Sequence, residues 1–241
     1  MAKKGKRYSE LCDKFDRESM YTLDDAVGFI SSTASTKFDE SVDLAVKLGV
    51  DPKQADQQIR GSFVLPQGTG KNLKVLVFAK EEKTAEAKEA GADYAGLEDI
   101  VEKIQKENWL DFDVAIATPD VMAEVGKLGK FLGPRGLMPA PKMGTVTNDI
   151  AKIVKQSKGG RIEVKNDKGS VVHTVVGKSS FESPRIKENL LFILSWLKKM
   201  KPSSSKGEFF RKVSISNTMG PSIKIDLANM KEEIKSFESV V

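Results

Sequence analysis

The two residue types that most often do covalent, acid–base or metal chemistry occur once each in the 241-residue chain, as His173 and Cys12. One imidazole cannot build a histidine-based metal cluster, and it leaves a Ser-His-Asp array little to draw on. Cys12 has no partner, so no disulfide can close within the chain, and a reducing compartment is expected. Gly68-Thr-Gly-Lys71 has the look of a phosphate loop, but Leu65 and Asn72 stand where that motif needs glycine and a hydroxyl. A strand ending at Ala79 is followed by Lys80-Glu-Glu-Lys83 without a glycine loop. Glu81 and Glu82 at a helix N-terminus would repel the pyrophosphate that a nucleotide-binding α/β domain holds there. A nucleotide-dependent α/β enzyme is therefore the weaker alternative, and no catalytic residue, metal or cofactor is expected.

Binding chemistry is better represented. In Thr36-Lys-Phe-Asp-Glu40, Lys37 offers a phosphate partner and Phe38 a flat apolar face for a ribose or base. In Ser216-Asn-Thr-Met-Gly-Pro-Ser222, Thr218 offers a hydroxyl and Gly220 lets a ligand approach the backbone. A core position for Phe38 and a plain hairpin turn for the second segment are the bland alternatives. A third segment, Phe131-Leu-Gly-Pro-Arg-Gly-Leu-Met-Pro-Ala-Pro-Lys-Met-Gly-Thr145, is punctuated by three glycines and three prolines, which no helix or strand should survive. Val125 to Asn148 contains no acid but carries Lys127, Lys130, Arg135 and Lys142. This reads as an ordered basic surface loop pinned by its own apolar residues.

The elements that position these segments fall into two kinds. Val42, Leu44, Val46 and Leu48 alternate with polar or small residues, as a half-buried strand does, and Ile59–Leu65 reads as another strand. Arg161–Lys165 and Val171–Val176 flank Asn166-Asp-Lys-Gly169, a hairpin signal; Val213–Ser216 and Ile223 to Leu227 alternate again. Thr22 should open a helix with Leu23, Ala26, Val27 and Ile30 inward. Ser183-Pro184 should open a second, with Ile186, Leu190, Ile193, Leu194 and Leu197 as its buried stripe. The middle differs: Leu73–Ala79 and Asp113–Ala117 are nearly continuous apolar strands around helical stretches at Lys83–Ala90 and Leu97–Lys106, as in a parallel α/β unit. The fold class expected is an α+β split domain, an antiparallel sheet with helices, carrying an inserted α/β Rossmann-like three-layer domain. Its parts are residues 1–67 plus 159–228, the insert 68–158, and a C-terminal tail 229–241 that reads as a short amphipathic helix. Gly68, Gly70, Gly159 and Gly160 mark the joints and a possible two-strand hinge.

Charge divides along the same joints. Residues 68–158 hold 14 basic and 14 acidic residues, whereas residues 161–224 hold 13 basic against five acidic. The split domain is thus the polyanion-facing part. His173, on one strand face with Val171 and Val175, is expected to be packed or half-exposed, with a polyanion contact as the lesser alternative.

LGPRGLMPAPKMGTV also resembles the signature of the L-one family of bacterial-type large-subunit ribosomal proteins, and the resemblance runs from Tyr21 to about Leu227. It implies a structural constituent of the large ribosomal subunit, not an enzyme, that binds large-subunit rRNA in the mobile stalk. It further implies help in releasing exit-site tRNA, and repression of translation through binding of the protein's own operon mRNA. Phe38 and Thr218-Met219-Gly220 match the cluster through which the family grips rRNA. The match implies that Glu40 fixes local geometry; by their charge, Lys37, Lys165 and Lys178 are expected as flanking phosphate contacts. A protein-scaffolding module using the 131–145 loop is the other alternative. The free protein is expected to be monomeric, cytoplasmic and off the membrane. Lys3, Lys4, Lys6 and Arg7 precede no apolar run, and Glu10, Asp13, Asp16 and Glu18 argue against a transit peptide.

Overall fold

The computed structural model describes residues 5–13, 16, 18–34 and 36–240; Lys3 and Lys4 lie outside the described residues. The chain is mixed α/β. It begins with helix α1 (Lys6–Asp13), strand β1 (Met20–Tyr21), α2 (Leu23–Thr33), β2 (Ser41–Leu48) and β3 (Arg60–Val64). Then follow β4 (Val75–Phe78), α3 (Glu81–Glu89), β5 (Tyr94–Gly96), α4 (Glu98–Glu107), β6 (Val114–Ala117), α5 (Met122–Gly126), α6 (Gly129–Leu132) and α7 (Ile150–Lys158). It closes with β7 (Arg161–Lys165), β8 (Val171–Lys178), α8 (Ser183–Lys199), β9 (Phe210–Asn217), β10 (Ile223–Ile225) and α9 (Leu227–Val240). Contacts divide it into two compact units, one of Met1–Arg60, Leu65–Gly70 and Val164–Val241, the other of Gly61–Val64 and Lys71–Glu163. Strands β3 and β7 pair as a separate two-stranded sheet.

The first unit is built on a five-stranded sheet of order β1-β10-β9-β2-β8, antiparallel except where β1 meets β10. The alternation along β2 is realised: Val42, Leu44, Val46 and Leu48 are at most 1% exposed. Helices α2 and α9 pack on β9, and α8 packs on β8, α2 and α9. Thr22 caps α2, accepting the Asp25 N–H at 3.2 Å while its hydroxyl donates to the Asp25 carboxylate at 2.7 Å. The apolar stripe of α8 lies wholly inside.

Two expectations are corrected here. The Asn166–Gly169 hairpin is a turn closed by a single bridge, Asn166 to Val172, because β7 pairs with β3 and β8 with β2. Residues 229–241 do not form a tail apart from the domain. Most of them are in α9, which buries Met230 and Ile234 completely and reaches α8 through a 2.6 Å Lys198–Glu238 ion pair.

In the second unit β5, β4 and β6 form a parallel sheet, with β4 in the middle. Leu76 and Phe78 face a core with Ile104 of α4, and Val75 and Val77 face another with Ala87 of α3 and with Ile150 and Val154 of α7. The residues of β5 are all half-buried, which is why no apolar run announces that strand. In the 131–145 segment α6 extends to Leu132 and Pro141–Met143 forms a 3-10 turn, so local helix does persist there. Leu132 and Met143 are buried, and Phe131, Leu137 and Met138 pack on the core, while Lys127, Lys130, Arg135 and Lys142 are exposed. Arg161 Nη2 donates to the Met143 carbonyl and, at 2.8 Å, to Ser62 Oγ.

Candidate nucleic-acid interface

Register brings three distant segments to one end of the five-stranded sheet. Ser41, the first residue of β2, pairs with Lys178 at the end of β8, and Val42 pairs with Asn217 at the end of β9. The stretch before β2, containing Lys37 and Phe38, therefore meets the turn after β9, containing Thr218, Met219 and Gly220. Phe38 and Met219 are each 53% exposed. That much exposure of an aromatic and a methionine, side by side in the topology, removes the core reading of Phe38.

Beneath these exposed side chains lies a hydrogen-bonded scaffold. Thr218 pairs fully with Ser41: its N–H donates to the Ser41 carbonyl at 3.0 Å, and its Oγ1 accepts the Ser41 N–H at 3.0 Å. Glu40 is 1% exposed; one carboxylate oxygen accepts the Met219 N–H at 2.9 Å and the other accepts the Thr36 hydroxyl at 2.8 Å. Thr36 Oγ1 also lies 2.9 Å from the Phe38 carbonyl. Asn217, buried, donates through Nδ2 to the Ile30 carbonyl at 2.9 Å and ties the last turn of α2 to the end of β9. Gly220 closes the turn by donating its N–H to the Asn217 carbonyl at 3.1 Å. A Cβ there would stand 3.1 Å from the Cβ of Asn217, so tight local packing asks for glycine as well.

Two carboxylates beside Phe38 look misplaced for a polyanion site. Asp39 accepts the Ser179 hydroxyl at 3.0 Å, the Ser180 N–H at 3.1 Å and the Ser180 hydroxyl at 2.9 Å. Burial pushes its carboxyl up, but the Ser180 and Ser179 hydrogen bonds, with Lys178 nearby, outweigh that and hold it below the ordinary value of 3.8. Lys178 Nζ donates to the Asp39 carbonyl and to Ser41 Oγ, each at 3.2 Å. Both acids thus serve as acceptors within the scaffold, while exposed Lys37 faces solvent. Thr36, Ser179, Ser180 and Asn217 are the parts that sequence reading missed. The period of two could have found Glu40's burial: stepping back from Val42 puts residue 40 on the inward face of the strand.

The other expected residues are placed elsewhere. Lys165 ends β7 and adjoins the turn leading into Val171, which pairs with Lys47 at the opposite end of β2 from Ser41. His173, on β8, is exposed and 3.9 Å from Asp167. Gly68 and Gly70 have φ of 67° and 72°. The turn they belong to is fastened to α8, since buried Asn189 accepts the Gln67 N–H and donates to the Gly68 carbonyl. Gly159 and Gly160 cap the C-terminus of α7, the latter at φ 96°. Among the described residues no group of three or more His, Cys, Asp or Glu could hold a metal ion, and no helix is long and apolar enough to cross a membrane.

An exposed aromatic, an exposed methionine and lysines on a hydrogen-bonded scaffold are side-chain types through which structural RNA-binding proteins recognise RNA. The model of one such family, the Ribosomal protein L1p/L10e family, matches residues 30–221, a span that takes in both Phe38 and Thr218-Met219-Gly220. The chain belongs to that family, whose members are structural large-subunit ribosomal proteins that bind rRNA.

Proposed function

We propose that the chain grips the rRNA of the mobile stalk through the end of the sheet where β8, β2 and β9 converge. Phe38 and Met219 supply apolar faces for ribose or base, Lys37 and Lys178 supply phosphate contacts, Thr218 holds the turn in place through its hydroxyl on Ser41, and Gly220 lets the RNA approach the backbone. Glu40 acts through its hydrogen bonds as a positioning residue. The observation that carries this reading is the exposure of Phe38 and Met219 above a buried carboxylate that accepts hydrogen bonds from both of their loops. A surface ordered before binding loses little conformational entropy when RNA docks.

The further steps rest on family resemblance: assistance to exit-site tRNA release, repression of the chain's own operon by binding its mRNA, and a cytoplasmic, monomeric state when off the ribosome. The 127–142 cations are a secondary contact for tRNA or neighbouring rRNA. The inserted unit is a movable appendage, with the glycine joints as its hinge; because the Gly68 turn is fastened to Asn189, the pivot would lie past Gly70.

Filter binding of a stalk rRNA fragment tests the grip. Phe38→Ala should weaken binding by about 1–3 kcal/mol, the range for loss of one aromatic stacking platform. Thr218→Ala should also weaken it, with Thr218→Ser restoring much of the loss because a hydroxyl again reaches Ser41. Unchanged affinity in both alanine variants would refute the assignment.

A further inference from the structure

Helix α1 lies before residue 30, where the family match begins, and it has no part in the grip described above. One of its basic residues nevertheless reaches that grip. Arg7 Nη2 donates to the Met219 carbonyl at 2.9 Å, across 212 positions of sequence. Both residues belong to the first compact unit. The helix is packed by one face: Leu11, one helical turn after Arg7 and on the same side, is 4% exposed. Arg7 and Tyr8 are half-buried, whereas Lys6, Glu10 and Asp13 are exposed. The guanidinium thus meets the turn after β9 from a helix that Leu11 anchors.

Arg7 takes hold of the second polar main-chain atom of Met219. The first, the N–H, donates to the buried Glu40 carboxylate at 2.9 Å. The peptide on each side of the Met219 Cα is therefore anchored to a charged side chain from a distant segment. Hydrogen bonds with an ionised partner are the stronger kind. From this doubly held Cα projects a side chain that is 53% exposed. Backbone freedom removed in the free protein need not be lost again when RNA docks.

We propose that Arg7 is a positioning residue of the RNA grip, acting from α1 through the carbonyl of Met219. The proposal rests on the reading of Phe38 and Met219 as the gripping surface. Helix α1 is then a clasp on the Met219 turn: Glu40 holds the N–H and Arg7 the carbonyl. The role needs a donor at position 7 and a docked α1. It needs no contact between Arg7 and RNA.

Filter binding of a stalk rRNA fragment to the full chain, over a series of salt concentrations, provides the test. Arg7→Ala should weaken binding about fivefold, the size of one hydrogen bond. The slope of log affinity against log salt should stay at its wild-type value. Arg7→Lys, which again offers a charged donor, should recover most of the loss. Leu11→Ala removes no charge and should also weaken binding, by loosening α1. A double-mutant cycle with Met219→Ala is decisive: Arg7→Ala should cost less than about twofold once the Met219 side chain is gone, because the two act through one group. A full fivefold cost in the Met219→Ala background, or a slope reduced by about one unit in Arg7→Ala, would make Arg7 a direct phosphate contact and overturn the positioning role. Unchanged affinity in Arg7→Ala beside weakened binding in Met219→Ala would also overturn it, leaving the grip standing. If Met219→Ala binds as wild type does, the proposal fails; should Phe38→Ala do so too, the grip reading has failed with it.

Discussion

The buried carboxylate of Glu40 accepts the backbone N–H of Met219 at 2.9 Å, across 179 positions of sequence. This single contact fastens the loop before β2 to the turn after β9, and both exposed apolar residues ride on it.

Glu40→Gln should be mild and Glu40→Ala severe. A glutamine oxygen can take the Met219 N–H while its NH₂ donates to Thr36 Oγ1, which remains free to donate to the Phe38 carbonyl 2.9 Å away. Alanine leaves the part-buried Met219 N–H and the Thr36 hydroxyl without this acceptor, at a cost of about 1–3 kcal/mol. Urea unfolding should therefore place Glu40→Ala well below wild type and Glu40→Gln close to it, with rRNA affinity following the same order. Equal loss in both variants would mean that the charge of Glu40, not its acceptor geometry, matters.

Asp39 makes a pH-dependent contribution. Burial raises its pKa, but the hydrogen bonds from Ser180 and Ser179 prevail, so in the folded chain it lies below the ordinary value of 3.8. A group with a depressed folded pKa stabilises the fold above its unfolded pKa, and that contribution is lost as pH falls through the folded value. The gap in urea midpoint between wild type and Asp39→Asn should be constant from pH 7 to pH 5 and should shrink steadily as pH falls through and below the ordinary value of 3.8. A gap that does not change at all with pH in that acid range would assign the stabilisation to shape instead of charge.

How much of this could be read beforehand depended on whether a residue's role is local. The period-two alternation of β2 and the apolar stripe of α8 depend only on their own segments, and they appear as expected. The hairpin at Asn166–Gly169 failed because strand pairing is a long-range choice: β3 competes for β7, and β2 for β8. Ser179 and Ser180 carry no signal of their own. They matter because the register of β8 against β2 delivers them to Asp39. Charge alone groups Lys165 with Lys178, and only the sheet register separates them.

Gly144 holds the basic loop to β7. Its φ is +66°, and a Cβ would stand 2.7 Å from Arg161 Nη2, the same atom that donates to the Met143 carbonyl. Gly136, in the same loop with φ +70°, has nothing within 4 Å of such a Cβ. Both alanine substitutions incur the left-handed backbone penalty of about 1–2 kcal/mol, but only Gly144→Ala also displaces the guanidinium. Thermal unfolding should rank Gly144→Ala below Gly136→Ala, and equal values would show that Arg161 yields without cost.

The packing of α9 carries the last prediction. Met230 is 0% and Ile234 1% exposed, and they lie one helical turn apart on the same face. Glu233 reaches Lys187 at 2.9 Å and Glu238 reaches Lys198 at 2.6 Å, both on α8. Ion pairs with this much solvent access contribute little, so the apolar pair should dominate. Met230→Ala or Ile234→Ala should each destabilise by about 2–5 kcal/mol, as large-to-small changes in a core do. Glu238→Ala should cost under about 1 kcal/mol. Denaturant titration followed by tryptophan fluorescence can read all three, because Trp196 lies on α8 within the same unit, although Trp109 in the other unit also contributes. If Met230→Ala proved as mild as Glu238→Ala, α9 would be a detachable appendage after all, and the family match ending at residue 221 would mark a true boundary.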